Sequence, residues 1–165
     1  MNLKIGSMAV LLALALAGCG GESDADRTMA ENLTIQPGKY DILAERNGKA
    51  EHSDLLMPDR PVEDYFKSDY GNGYLGILLS RLCPSVGSHN TRDYPETISE
   101  FKAEGGSFTA KGDCYYRPGG WRAKYAFEGR NYVDGFVIDV VHTGHGTTEE
   151  GVPDKIQVRA DKRVK

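Results

Sequence analysis

Two histidines three residues apart are the first candidates for chemistry in this sequence. His142 and His145 stand where a strand-like segment passes into a polar loop, and Asp139, Glu149 and Glu150 are the nearest acidic residues. Imidazole nitrogens bind zinc, but a zinc site needs three or four ligands. The pair therefore supports one hypothesis, a metal-assisted enzyme, and leaves open the simpler interpretation of two solvated loop histidines.

Two glycine-containing segments resemble motifs of enzymes only in part. Residues 71–76 match G-x-G-x-x-G, yet the preceding residues 65–70 are too polar for the buried strand that a dinucleotide site requires. Residues 105–109 begin like the nucleophile motif G-x-S-x-G but lack its last glycine. We interpret residues 71–76 as a turn before a helix, and we expect a non-catalytic protein without a cofactor.

The first half of the chain predicts two strands and one helix. A turn at Pro37-Gly38 precedes a strand over residues 39–45, and a weaker strand covers residues 52–57. Asp59 followed by Pro61 is typical of a helix start. Apolar side chains then follow a helical spacing that must end by Cys83, because Pro84 comes next, and they are Leu75, Leu78, Leu79 and Leu82.

The second half predicts an antiparallel meander. From Glu96 onward, alternating apolar residues are separated by turns at residues 105–106, 118–120 and 129–131. One strand runs over residues 132–141, where valines on the second face suggest that both faces are covered. The last strand carries Ile156, Val158 and Ala160 on one face after a polar loop over residues 143–153.

These elements define a mainly β (β-rich α+β) fold. We predict an antiparallel meander of five or six strands, forming a curved sheet or half-barrel with a short helical insertion, in a single domain over residues 36–165. The wide apolar strand faces favour a binding function on the concave face. Trp121, Tyr125 and Phe136 are the candidate ligand-binding residues there.

Composition excludes two function classes. The formal net charge of the 165 residues is -4, without the basic excess that nucleic-acid binding requires. After residue 20 no apolar run approaches the ~18 residues that a membrane-spanning helix needs.

The N-terminus resembles that of a bacterial lipoprotein. Lys4 precedes an apolar stretch from Met8 to Ala17, and the stretch ends in the lipobox Leu16-Ala17-Gly18-Cys19. The resemblance implies that residues 1–18 are a lipoprotein signal peptide and that Cys19 is lipidated. Gly20 in place of aspartate implies the outer membrane, with the domain facing the periplasm. The alternative is an ordinary signal peptide with an incidental cysteine.

Residues 19–35 are predicted to be the lipidated cysteine and a flexible tether, because the stretch contains several acidic residues and few apolar ones. With Cys19 lipidated, Cys83 and Cys114 form an even pair in an oxidising compartment. We predict a disulfide between them; two free thiols are the alternative.

The body of the chain resembles the domain-of-unknown-function family 3617 of small secreted or lipid-anchored bacterial proteins. The opening residues 37–41 (Pro-Gly-Lys-Tyr-Asp) and the closing residues 161–164 (Asp-Lys-Arg-Val) carry the likeness, with the glycine-rich meander between them. The family has no established activity, so the resemblance implies fold and location only.

Together these observations predict a lipid-anchored envelope protein. Its expected role is to bind a partner protein or an apolar small molecule without catalysis, and its expected partner surface is the membrane rather than nucleic acid. The alternatives are a structural lipoprotein of envelope assembly or stress tolerance, and a metal-assisted enzyme that uses His142 and His145.

Overall fold

An antiparallel sheet makes up most of the described chain. The structure, a computed structural model, describes residues 24–67, 73–83, 96–116 and 119–164. Its strands are β1 (Gly38–Arg46), β2 (Lys49–Met57), β3 (Glu96–Glu104), β4 (Ser107–Tyr116), β5 (Trp121–Tyr132), β6 (Gly135–Gly144) and β7 (Asp154–Lys162), and helix α1 spans Tyr74–Leu82. The expected mainly β fold with one helical insertion is confirmed.

The strand order is β2-β1-β7-β6-β5-β4-β3, so the sheet is open and β2 and β3 are its edges. Strand β7 returns to lie between β1 and β6 and thereby joins the first hairpin to the meander. The expected number of five or six strands is wrong, because the sheet has seven. The two edge strands expose most of their side chains, which leaves little apolar alternation in their sequence.

The turn between β5 and β6 lies later than expected. Residues 133–134 connect the two strands, and residues 129–131 belong to β5, as does Tyr132. Gly129 is a strand glycine because the ring of Phe108 lies on its backbone, where a Cβ atom would overlap the ring. The sequence alone does not distinguish a strand glycine that makes room for an aromatic ring from a glycine in a turn.

The inner face of the sheet carries the core. Predicted inward residues on four strands are buried, namely Phe108, Ala110 and Cys114 on β4, Ala123, Tyr125 and Phe127 on β5, Phe136, Ile138 and Val140 on β6, and Ile156, Val158 and Ala160 on β7. On the outer face of β6, Val137 is buried but Val141 is exposed, and Val133 is exposed in the turn before the strand. That strand is therefore covered on both faces only in part.

Helix α1 packs its leucines on the inner face. Leu75 and Leu79 are buried, and the helix ends before Cys83 as expected. The helix begins at Tyr74 and not near Asp59 and Pro61, because residues 63–67 form a turn that places Phe66 in the core.

The segment before β1 packs against the sheet. Arg27 is buried and pairs with Asp134 at 2.8 Å and Asp161 at 3.1 Å, while Leu33 and Ile35 enter the core. The expectation of a flexible tether over residues 19–35 is therefore wrong for residues 24–35. Two aliphatic side chains and one neutralised arginine are enough to hold this polar segment in place.

Within the described residues, no helix has both the length and the apolar composition that crossing a membrane requires.

Candidate functional site

A cleft of about 740 Å³ lies between α1 and the hairpin of β1 and β2. Its floor is the inner face of β1 and β7, and α1 forms the opposite wall. The apolar lining consists of Ile42, Ala44, Ile156 and Val158 from the sheet and Ile77, Leu78 and Leu82 from the helix. Ile77 keeps 38% of its surface exposed. This volume is typical of small-molecule sites.

The cleft exists because α1 is fixed over the other half of the sheet. At Gly112 of β4, a Cβ atom would lie 2.9 Å from Leu79 and 2.8 Å from Phe127, so only a glycine lets the helix approach this closely. The hydroxyl of Tyr125 donates to the carbonyl of Leu82 at 2.7 Å and holds the last helical turn.

The cysteines hold the same end of the helix. Cys83 and Cys114 lie at disulfide distance, with their Cα atoms 5.9 Å apart. This agrees with the predicted pairing, and the link joins the residue after α1 to β4.

At the other end of the helix, Tyr74 packs edge to face on Phe136, with ring centroids 5.1 Å apart, and on Phe66. Both ends of α1 are therefore anchored away from β1, which keeps the helix from closing on the floor of the cleft.

A buried carboxylate orders one end of the cleft. Asp154 accepts hydrogen bonds from the side-chain amide of Asn47 at 2.7 Å and from the backbone N–H of Thr148 at 3.0 Å. Burial alone would raise the pKa of Asp154, but these hydrogen bonds outweigh it and lower the pKa below its usual value. Asn47 and Thr148 both line the cleft.

Asn47 also makes the tight turn that starts the hairpin. Asn47 and Gly48 adopt left-handed backbone angles, φ 48° and 81°, as a two-residue hairpin turn requires. The Asn-Gly pair is the sequence signal that could have located this end of the cleft.

His142 is fully buried beside that carboxylate. Because a carbonyl can only accept, Nε2–H donates to the His145 carbonyl at 3.1 Å. Nδ1 has no hydrogen-bond partner in the described chain and faces Asp154 Oδ2 at 3.5 Å. The ring stacks on Tyr125 at 4.6 Å. Burial lowers the pKa of His142, although the His145 carbonyl and Asp154 act in the opposite direction.

Acidification should therefore destabilise the fold through His142. The unfolded chain binds a proton near pH 6.5 and the folded chain only at lower pH, so the free energy of unfolding falls by up to about 1.4 kcal/mol per pH unit below that point. Urea unfolding at pH 7.5 and 5.5 measures the loss. Between pH 7.5 and 5.5, we expect the free energy of unfolding to fall less in His142→Gln than in the unsubstituted chain.

The matched control is His145→Gln, because His145 is exposed. It should keep the full pH dependence. An equal loss in all three proteins would show that His142 does not carry the effect. Asp154 titrates below its ordinary value and contributes only in stronger acid.

The two histidines of the metal hypothesis occupy different surroundings. The ring of His145 stacks on Trp121 at 4.3 Å, whereas that of His142 lies in the core against Tyr125. In the parts of the chain that the structure describes, no three His, Cys, Asp or Glu side chains are grouped to hold a metal ion.

The predicted ligand-binding aromatics do not line the cleft. Phe136 is fully buried behind α1, and Tyr125 is buried beneath Leu82. Trp121, the first residue of β5, packs on Tyr116. Cys19 lies outside the described residues. Of the glycine-rich residues 71–76, the described part forms the helix start, with Gly73 as its N-cap.

Comparison with known proteins adds no relative: no family model matches the chain, and neither the curated proteins nor the solved structures include a significant match. The likeness to family 3617 stays a prediction that depends on the opening and closing residues.

Proposed function

We propose that this protein is a non-catalytic binding protein of the bacterial envelope and that it takes up an apolar small molecule in the cleft beside α1. The observation that carries the proposal is the apolar floor, formed by Ile42, Ala44 and Ile156, which a fixed helix leaves accessible. Polar side chains stand beside this apolar floor, on β2 at Ser53 and at the end of the cleft at Asn47 and Thr148. Such a lining suits an apolar ligand that carries a polar group.

We further propose that the sheet curves as a half-barrel around α1. Five strand spacings separate β2 from β4, or about 24 Å in a flat sheet, whereas a helix with its side chains is only about 10–12 Å wide. Yet α1 approaches Gly112 on β4 and lines the same cleft as Ser53 on β2. Curvature that brings β2 toward the helix accounts for both contacts.

Binding is tested with N-phenyl-1-naphthylamine, a neutral dye that fluoresces in apolar sites. The protein is the mature chain 19–165 with Cys19→Ala. We expect saturable fluorescence that Ser53→Trp reduces at least about fivefold in affinity, because Ser53 is exposed and an indole there fills the cleft.

The control is Ala50→Trp, an exposed position on the same strand whose side chain points to the outer face. Equal loss in both variants would place the dye outside the cleft. No saturable binding at all would favour the alternative, a structural lipoprotein of envelope assembly or stress tolerance, or a protein partner.

The proposed location is the periplasmic face of the outer membrane, with Cys19 as the acylated first residue. The lipobox 16–19 supports it, and acyl chains on one residue provide stable anchoring. An inhibitor of the lipoprotein signal peptidase should make the uncleaved precursor accumulate, and Cys19→Ser should prevent lipid attachment. Processing that is indifferent to both would leave an ordinary secretory signal.

A further inference from the structure

Three cations line the cleft. Arg46, Lys49 and Arg81 all line it, and none forms an ion pair with a residue of the described chain. Elsewhere in the described chain, five arginines are paired with carboxylates, namely Arg27, Arg122, Arg130, Arg159 and Arg163, whereas the exposed Arg60 forms no ion pair. The cleft thus holds three cations that form no ion pair within the described residues, in a chain whose net charge is -4.

Two of these cations are neighbours, and the buried Asp154 is the carboxylate whose pKa Arg46 helps to lower. Arg46 and Lys49 are directly opposite each other in the register of β1 and β2, where the side chains of such a pair share a face. Like charges in this position repel. Glu45 and Glu51 are the acidic residues of the lining, and neither pairs with a cation there. The lining therefore carries three cations and two carboxylates, and the buried Asp154 lies behind the same end, next to Asn47 and Thr148.

The cationic pair closes the end of the apolar floor. Ile42, Ala44 and Arg46 alternate along the inner face of β1, and the distance from Ile42 to Arg46 is about 13 Å at the rise of a strand. Arg81 extends from α1 on the opposite wall. A ligand that satisfies both features has one apolar chain and a negative head.

We propose that the cleft binds a single-chain anionic amphiphile, with its acyl chain on the floor and its carboxylate or phosphate head at Arg46, Lys49 and Arg81. This inference rests on the proposed function and specifies its ligand. A carboxylate head corresponds to a free fatty acid and a phosphate head to a lysophospholipid. Both present an anion that arginine and lysine bind by charge-assisted hydrogen bonds.

The test compares ten-carbon amphiphiles that differ only in the head: decanoate, decyl phosphate, decanol and decyltrimethylammonium. Each displaces the neutral dye from the mature chain 19–165 carrying Cys19→Ala. We expect decanoate or decyl phosphate to bind about tenfold more tightly than decanol and the cationic amphiphile to bind most weakly. The better of the two anions identifies the source of the head group. Each added methylene should tighten binding about fourfold until the floor is filled.

Lys49→Gln combined with Arg81→Gln should weaken binding of the anions about tenfold, because each exposed charge pair contributes up to about fivefold. Decanol should bind as before. The control removes the same charge elsewhere, by Arg60→Gln with Lys124→Gln at exposed positions outside the cleft, and should change little. Arg46→Gln is the second variant and should act in the same direction.

The two proposals fail differently. If decanoate and decanol bind with equal affinity and Ser53→Trp abolishes the binding of both, the proposal of an anionic head group is wrong. The proposal of an apolar binding cleft is then still supported. Equal weakening in the cleft variant and its control also overturns the anionic head group, because a general charge effect would then suffice. No displacement by any of the four compounds overturns the proposed function itself.

Discussion

Phe136→Ala is expected to lower the free energy of unfolding by about 3–5 kcal/mol, the range for removing a buried aromatic side chain. Phe136 is fully buried and contacts Phe66 and Tyr74 edge to face, both at 5.1 Å between ring centroids. Its loss leaves a cavity beneath the start of α1, which the sheet cannot fill by relaxing. Urea unfolding followed by circular dichroism measures the change.

Val133→Ala is the control, because Val133 is 61% exposed in the turn between β5 and β6 and should change stability by less than about 0.5 kcal/mol. The experiment also decides between two roles for Phe136. A variant of nearly normal stability that no longer binds the dye would make Phe136 a ligand-binding residue. If the variant is less stable but its folded fraction still binds the dye, Phe136 is a core residue.

Removing the cysteine pair is expected to cost about 3–4 kcal/mol in the chain-entropy account of a cross-link across 31 residues. The bridge also holds the end of α1 on β4, so its loss should loosen the wall of the cleft. We expect Cys83→Ser with Cys114→Ser to lower the urea midpoint and to weaken dye binding as well.

Unfolding in the presence of a reductant is the experiment that matches the double variant. The reductant should destabilise the unsubstituted chain as the double variant does and leave the double variant unchanged. Intact mass should rise by about two daltons on reduction, one hydrogen for each thiol that forms. A mass that does not change, with no response to reductant, would mean that the two cysteines are free thiols.

Local patterns were sufficient for much of the fold. The leucines at 75, 78 and 79 repeat with the helical period, and Cys83 before Pro84 ends the helix as expected. The strands β4 and β7 alternate strictly, because one face of each lies in the core and the other in solvent. Such periods depend only on neighbours in sequence, so they are readable without the fold.

Gly112 fits the predicted alternation of its strand, but the role of the glycines was not readable in this way. Gly129 and Gly112 both lie within strands, since each makes room for a side chain from a distant part of the sequence, Phe108 in one case and Leu79 in the other. A single sequence carries no sign of which ring or leucine will approach. The turn at residues 129–131 was misplaced for that reason.

The amino-acid sequence by itself determined the mainly β class, the leucine face and the end of the helix, the cysteine pairing that the structure supports, and the lipobox that predicts the anchor. Only the tertiary structure decided the seven-stranded order, the buried contact of His142 with Asp154, and the cleft. The cleft joins Ile42, Ile77 and Ile156 from three separate parts of the chain. Its existence depends on where α1 is anchored, and packing between residues far apart in sequence sets that position.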